Sequence, residues 1–261
     1  MARRRDEATA VLSDYWAPPS DQGLEGGVGA PIALLATTFE LDASFFESEL
    51  LPRFLGLRYD ATEREAPLIV EREEGLSTTR VAVLVDASKL DPRQSTLQWD
   101  QLPVQVPGGL QHAKVTVLLW ERLARLIVGS ANLTRPGYRR NREVFSTLDF
   151  FNGPDSVPLA LLRETLNFVQ VLAGWSRALP AATDRMRQTI AAVRDRARRW
   201  TNAPREFRPK ERPRVALVVG HPRQGEKPPR SALERLLRLW HTRRVTAATI
   251  VTPFVGQGAG G

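Results

Sequence analysis

The residues most able to do chemistry in this chain lie between Gln111 and Val144. His112 and Lys114 stand two positions apart at the start of an apolar segment, and Asn132 follows a second apolar segment in a Gly-Ser-Ala-Asn turn. Residues two apart on a strand project to the same face, and pairing of the two segments as a hairpin would bring Asn132 beside them. An imidazole, an ammonium and an amide in one pocket suit a phosphodiester, because they supply a nucleophile, a positive charge and a hydrogen-bond donor.

The same residues also allow a purely structural interpretation. A buried histidine beside a lysine is most often a paired core residue, because buried polar groups are generally hydrogen-bonded. Chemistry is favoured because four features coincide in one short segment. These are the His-x-Lys spacing, the strand pair, the Gly-Ser-x-Asn turn and the acidic Glu143 beyond it.

This combination resembles the phospholipase D superfamily, whose motif reads His-x-Lys, then Gly-Ser-x-Asn, then an acidic residue. The commonest form of that motif carries an Asp five positions after the Lys, and here that position is Leu119. The tyrosyl-DNA phosphodiesterase branch also lacks this Asp. The segment LLATTFELDASFFESELLPRFLG is similar to the strand and Phe-rich helix of that branch. The closest resemblance in pattern is therefore to this branch.

The resemblance implies a role for each motif residue. His112 would attack phosphorus and form a phosphohistidine intermediate. Lys114 and Asn132 would bind the non-bridging oxygens, and Ser130 would add a hydroxyl donor. Glu143 would hold the imidazole in its nucleophilic tautomer. The family reaction needs no metal and no cofactor, and a second histidine protonates its leaving group.

Several arginines follow the motif, with a tyrosine among them. Clustered arginines beside a phosphate site are typical of backbone binding, and a tyrosine ring can stack on a base. The alternative is an exposed loop around Pro136 and Gly137. The expected substrate-binding residues are Ser130, Arg135, Tyr138, Arg139 and Arg140, with Arg142 beside them.

Alternating β-rich and helical patterns predict an α/β fold, which is expected to be a phospholipase D-like layered domain with a mixed β-sheet flanked by helices. The predicted strands cover 31–39, 66–70, 80–86, part of 96–106, the two motif segments and 143–149, with predicted helices at 42–55, 157–177 and 182–200. The predicted organisation is a flexible N-terminal arm (1–29), a catalytic domain (30–176), a basic helix with a Pro/Arg-rich linker (177–214), and the start of a second, incomplete α/β domain (215–261).

A second His-x-Lys motif is missing, because His221 precedes Pro-Arg and His241 precedes Thr-Arg-Arg. The second catalytic histidine is therefore expected from a missing C-terminal half or from another copy in a homodimer, unless the chain is inactive. Of these, the sequence favours a fragment, because a domain of about 45 residues is small to stand alone.

Composition narrows the chemistry further. The chain has 261 residues, no cysteine and three histidines, which excludes disulfides and thiolate catalysis and argues against a zinc or other histidine-based centre. Residues 1–134 carry 13 basic and 19 acidic residues, a net charge of −6, whereas 177–214 carry 12 basic and 4 acidic residues, a net charge of +8. The basic stretch predicts a nucleic-acid partner, with DNA favoured; the alternative is a solvated helix face.

The expected function is hydrolysis of phosphodiester bonds in nucleic acid, by an enzyme of nuclease or DNA-end-processing type. Two alternatives stay open: a silent nucleic-acid-binding or scaffold protein, and a phospholipid headgroup hydrolase. The last is disfavoured because no long amphipathic helix has a Trp/Phe face. The sequence shows no membrane span and no signal-peptide core, so a cytoplasmic location is expected.

Overall fold

The structure, a computed structural model, describes residues 11–19, 24, 26–57, 65–91, 98–206 and 217–218. The chain divides into two compact units, Met1–Leu217 and Val218–Gly261. The second unit lies outside the described residues except for Val218. The predicted linker beyond residue 206 and the predicted second α/β domain, with His221 and His241, therefore stay predictions.

The first unit is built on one mixed β-sheet with the strand order β3-β2-β1-β4-β5-β6. Strands β1, β2 and β3 are parallel, and β4, β5 and β6 are each antiparallel to the strand before them in the sheet. The strands are β1 (Pro31–Thr38), β2 (Arg80–Asp86), β3 (Asp100–Val104), β4 (Lys114–Trp120), β5 (Leu123–Gly129) and β6 (Phe145–Phe151). The predicted α/β class, with a mixed sheet flanked by helices, is confirmed.

The central strands are apolar because helices or loops cover both of their faces. All seven residues of β4 are buried, as are the last six of β1. Such continuous burial is typical of a strand inside a layered α/β fold, where neither face meets water. The predicted hairpin of the two motif segments is confirmed, with β4 and β5 paired from Lys114 opposite Gly129 to Leu119 opposite Ala124.

Six helices of the described residues flank the strands: α1 (Ala43–Phe45), α2 (Leu51–Leu55), α3 (Glu65–Thr78), α4 (Arg135–Arg139), α5 (Leu159–Ala173) and α6 (Pro180–Arg198). A π-helical turn, Phe46–Leu50, joins α1 to α2, so these three pieces form the helix predicted over 42–55. Asp42 caps its start by accepting a hydrogen bond from the Phe45 amide at 3.0 Å. Gly56 ends it with φ of 75°, in the left-handed region.

One prediction of secondary structure was wrong. Residues 66–70 form part of α3 and not a strand, because a short apolar run fits either structure and the acidic residues that follow extend it as a helix. The two helices predicted over 157–177 and 182–200 are present as α5 and α6, and α6 begins at Pro180, two residues before its predicted start. Proline suits that position because its missing N–H has no partner there in any helix.

Part of the segment expected to be a flexible arm is anchored in the core. Leu12–Trp16 forms a 3-10 turn, and the Trp16 ring is fully buried. The Trp16 ring contacts Phe46 and Tyr138, and its indole N–H donates to the Tyr138 hydroxyl at 3.1 Å. The expected mobility therefore does not extend to these residues, and residues 1–10 lie outside the described part.

Helix α6 belongs to the same unit as the sheet, although it was expected to lie beyond the domain boundary at residue 176. It packs against β1, β2, β3 and α5 through the buried side chains of Met186, Ile190 and Val193. None of the helices in the described ranges is both long and apolar enough to cross a membrane.

Candidate active site

The chemistry-bearing residues meet at one edge of the sheet. Strands β1, β2 and β5 end at this edge, and β4 and β6 begin there, as their pairing directions require. Side chains just outside five different strand ends are thereby brought into one place. Ligand sites in open α/β sheets commonly lie at the carboxyl ends of parallel strands.

His112 lies in the turn directly before β4, with its side chain exposed to solvent. Its ring packs against Phe39, which follows β1, with ring centroids 4.9 Å apart and an angle of 45° between the ring planes. The Lys114 ammonium lies 3.0 Å from Nδ1 and 3.2 Å from Nε2 of this ring, and it donates to the His112 carbonyl oxygen at 2.9 Å. The predicted juxtaposition of His112 and Lys114 is therefore present, and the imidazole contacts both an aromatic ring and a cation.

Lys114 is only 9% exposed, which is unusual for a lysine. Burial lowers the pKa of Lys114 to about 8, while Glu143 and Glu40 act in the opposite direction. The ammonium is still mostly charged at neutral pH. It is therefore a poorly hydrated cation close to the imidazole, suited to binding an anionic oxygen.

The pKa of His112 is lowered from its ordinary value, chiefly by partial burial and then by the Lys114 charge. Asp86 and Glu40 act in the opposite direction without reversing the shift. The imidazole is consequently neutral at physiological pH. Neutral imidazole has the lone pair that a nucleophile or a general base requires.

Asn132 is fixed to the loop that follows β1. Its Oδ1 lies 3.4 Å from both the Glu40 amide nitrogen and the Thr38 hydroxyl, while the next amide, Leu133, donates to that hydroxyl at 3.0 Å. Because His112 packs against Phe39 and Asn132 contacts the neighbouring residue Glu40, both motif residues contact the same short loop. The predicted approach of Asn132 to the His/Lys pair is in keeping with this arrangement.

Residues that the sequence analysis did not single out hold the turn before β4. The buried Asp86 carboxylate accepts from the Gln111 amide at 2.7 Å, and the Gln111 side chain brackets Ala113 with bonds of 2.8 and 3.1 Å. The Thr37 hydroxyl donates to the Ala113 carbonyl at 2.8 Å. Their positions in the sequence could have identified these residues, because Asp86 ends a strand and Gln111 directly precedes the motif.

Glu143 binds Ser130 and not His112 in the described part of the chain. Its Oε2 is paired with the Ser130 hydroxyl, and its Oε1 accepts from Asn141 at 3.1 Å. The Ser130 oxygen in turn accepts from the Val144 amide at 3.0 Å. The expected contact between Glu143 and the imidazole is therefore absent, and Glu143 acts on the site as a charge that raises the pKa of Lys114.

The residues expected to bind substrate beyond the motif have different environments. Arg135 pairs with Glu49 at 2.8 Å, and Arg139 donates to the same carboxylate through Nε at 3.1 Å. Arg140 and Arg142 are exposed. Tyr138 packs against Trp16 and Phe45, and burial raises its pKa. This packing does not fit the expected stacking of Tyr138 on a base.

The arginine-rich end of α6 lies away from this site. The segment before α6 is at the His112 edge, where Arg177 donates from its amide to the Pro103 carbonyl at 2.8 Å. Beyond the C-terminal end of α6, the Asn202 amide donates to the side-chain oxygen of Asn152, which follows β6 at the other edge of the sheet. A cavity of about 320 Å³ there brings Arg196 and Arg199 together with Arg122 of the β4–β5 turn.

Among the residues that the structure describes, no three His, Asp or Glu side chains are grouped as a metal site would require. The site offers an imidazole, an ammonium and an amide instead. These groups can present a nucleophile and two donors to an anion.

No protein-family model and no curated protein matches the chain. Among solved structures, the chain is similar to yeast tyrosyl-DNA phosphodiesterase, at 8% identity and a TM-score of 0.38, over 62% of this chain and 35% of that one. It is also similar to Nuc, a phospholipase D family member from Salmonella typhimurium, at 14% identity and a TM-score of 0.35, over 57% of this chain and 83% of that one. The chain thus spans about a third of the length of the yeast protein.

Proposed function

We propose that His112, Lys114 and Asn132 form the site of a metal-independent phosphodiesterase that acts through a phosphohistidine, with nucleic acid as its substrate. The environment of His112 carries this proposal. A solvent-facing imidazole packs against an aromatic ring, with its nitrogens 3.0 and 3.2 Å from a buried ammonium. This arrangement presents a neutral nucleophile and a cation to the same incoming phosphate.

In the first step, an unprotonated nitrogen of His112 forms a bond to phosphorus. The bond from phosphorus to the leaving oxygen breaks, and that oxygen keeps the electron pair. Lys114 and the Asn132 amide nitrogen donate to the non-bridging oxygens, where negative charge accumulates. In the second step, a water oxygen bonds to phosphorus, the N–P electron pair returns to the imidazole, and the proton of the water passes to solvent.

The leaving oxygen of an alkyl ester needs a proton, which the family's second histidine would supply. His112 is the single histidine within the described ranges. We therefore assign the general acid to an imidazolium from another copy of the chain or from residues outside those ranges. An aryl leaving group such as p-nitrophenolate departs as a stable anion and does not need this acid.

This difference makes bis(p-nitrophenyl) phosphate the substrate of choice for the test. The full chain should release nitrophenolate in excess EDTA, and His112→Ala should release none. Lys114→Met and Asn132→Ala should each lower the rate by about 10²–10³-fold, the usual effect of losing one donor to the transition-state charge. Arg53→Gln, at an exposed ion pair with Asp14, is the control and should keep the full rate.

Wild-type rates in His112→Ala would contradict the nucleophile, and activity that EDTA abolishes and a divalent ion restores would contradict the metal-independent route. Rapid quenching in base during turnover should trap a phosphohistidine, whose N–P bond is stable in base and labile in acid, on the wild type only.

A second function, binding of nucleic acid without turnover, is favoured by the single histidine of the described ranges. It predicts that the full chain binds oligonucleotides but hydrolyses neither aryl nor alkyl diesters. Measurement of both properties on one preparation separates the two functions.

A further inference from the structure

A groove of about 350 Å³ lies between α5 and α6. Its lining positions, 159, 162, 163, 166 and 167 on α5 and 194, 197 and 198 on α6, have the three- and four-residue spacing of one helix face each. Leu159, Leu162 and Leu166 form its apolar floor, where each is 6% exposed or less. The volume is within the range of small-molecule sites.

Four arginines line the same groove: Arg163, Arg194, Arg198 and Arg205. Arg163 and Arg198 form exposed ion pairs with Glu206 and Asp195, and such pairs contribute little and exchange partners easily.

Arg194 is held differently, because it donates to the amide oxygens of Asn167 and Gln170 at 2.8 and 2.7 Å. These neutral partners orient its guanidinium and leave its charge uncompensated.

An apolar floor inside a ring of guanidinium groups matches a nucleotide, which has an apolar base face and an anionic phosphate. We propose that this groove anchors single-stranded nucleic acid, with a base on the leucines and the adjacent phosphates on Arg194 and its neighbours. A single strand is favoured over a duplex because only an unpaired base can reach the floor.

The groove lies at the sheet edge opposite His112. It includes the N-terminal half of α5, whose first amide binds the Pro204 carbonyl close to the Asn152–Asn202 contact. The two edges are separated by the seven residues of β4, or about 23 Å at the usual rise of a strand. At the 3.4 Å spacing of a stacked strand, this distance corresponds to about seven nucleotides. The link between anchoring and cleavage rests on the proposed function, whereas the binding itself does not.

Binding is tested with fluorescein-labelled oligo(dT) of 3, 6, 9, 12 and 15 nucleotides, measured by anisotropy on the full chain at two salt concentrations. The double variant Arg194→Gln/Arg198→Gln should weaken binding of the 12-mer by roughly tenfold or more. It should also reduce the salt slope by about 1.4, since each phosphate contact on a single strand contributes about 0.7. The control Arg53→Gln/Arg187→Gln removes the same charge outside the groove and should change binding little.

Ala197→Phe is a second, charge-neutral variant that fills the groove. It should weaken 12-mer binding as the arginine double variant does, and thermal melting checks that each variant is folded. If Ala197→Phe binds the 12-mer as tightly as the wild type does, a base does not enter the groove. If the two arginine double variants lose the same affinity for the 12-mer, the loss reflects overall charge and not the groove. Equal affinity for a duplex of the same length would overturn the contact between base and floor.

Measurements of cleavage distinguish a failure of the groove proposal from a failure of the proposed phosphodiesterase function. If both hold, kcat/KM should rise steeply between 6 and 9 nucleotides in the wild type, and this rise should vanish in Ala197→Phe. Cleavage that is independent of length would overturn the groove as an anchor for substrate and leave the phosphodiesterase intact. Groove-dependent binding without hydrolysis of any diester would overturn the phosphodiesterase and leave the anchor intact.

Discussion

At the scale of single residues, the site depends on two groups whose pKa values are both lowered by burial. His112 must be neutral to attack phosphorus. Because its pKa lies below the ordinary histidine value of 6.5, the imidazole is neutral at neutral pH. Lys114 must be charged to bind the phosphate, and its pKa is about 8. The two groups are therefore in their active forms together in a window around neutral pH.

The pH dependence of kcat/KM should report this window in the free enzyme. The rate is expected to fall on the acid side only below pH 6.5, as His112 gains a proton, and on the alkaline side above about pH 8, as Lys114 loses one. Lys114→Arg retains its charge at high pH and should remove the alkaline fall from whatever activity it keeps. An alkaline limit that is unchanged in this variant would assign it to another group.

The lowered pKa of Lys114 also predicts a cost to stability. Between about pH 8 and 10, the unfolded chain binds a proton at Lys114 that the folded chain has released, so the free energy of unfolding should rise with pH. Lys114→Met should be more stable than the wild type at pH 7 and should lack this rise. Urea denaturation at pH 7, 8.5 and 9.5 measures both effects, and identical pH slopes in the two proteins would contradict them.

At the scale of elements, a buried ion pair fastens β5 to β6 and to the N-terminal segment. Arg125 binds both oxygens of Asp149 at 2.7 and 2.8 Å and donates to the Tyr15 carbonyl at 3.2 Å, and its side chain is 6% exposed. Asp149→Asn leaves this guanidinium buried without a counter-charge and should destabilise the fold by about 3–5 kcal/mol. Asp14→Asn, at an exposed pair, should cost about 1 kcal/mol or less by the same urea titration.

The turn that presents Asn132 depends on a close approach of α4. A Cβ added at Gly137 would lie 2.7 Å from the Asn132 carbonyl oxygen and 3.2 Å from its nitrogen. Gly137→Ala should therefore displace Asn132 and lower kcat/KM by about 10²-fold, as small displacements of positioning groups do. At Gly109, a Cβ would meet Val106 at an ordinary 3.7 Å, so Gly109→Ala should keep its activity. Equal rates in the two variants would show that this approach does not position Asn132.

The hairpin and the long strands could be predicted from sequence because their signals are local. Apolar runs of strand length, the turn at Gly129-Ser130 and the Asp42 cap each act within a few residues. Residues 66–70 were mistaken for a strand because their short apolar run has no period of its own. For Glu143 the sequence predicted the His112 imidazole as partner, whereas the carboxylate binds the Ser130 hydroxyl. Both groups can donate to a carboxylate, and only the three-dimensional arrangement decides between them.

At the scale of the whole molecule, the last arginines of α6 and the chemistry-bearing residues lie at opposite edges of the sheet. The basic stretch of 177–214 and the arginines after the motif are both predicted from sequence to contact nucleic acid. Helix α6 begins near the His112 edge and carries its last arginines to the other edge, so these groups are about one strand length apart. Charge counts along a chain contain no information on this separation, which follows from the direction of α6 across the sheet.

The dependence of the site on five strand ends has a consequence for inactivation. No single hairpin, helix or loop carries the site, so no local opening can remove it piece by piece while the sheet remains paired. Catalysis and fold should therefore be lost in one cooperative transition. The residual rate after brief heating should follow the fraction folded by circular dichroism, with a common midpoint.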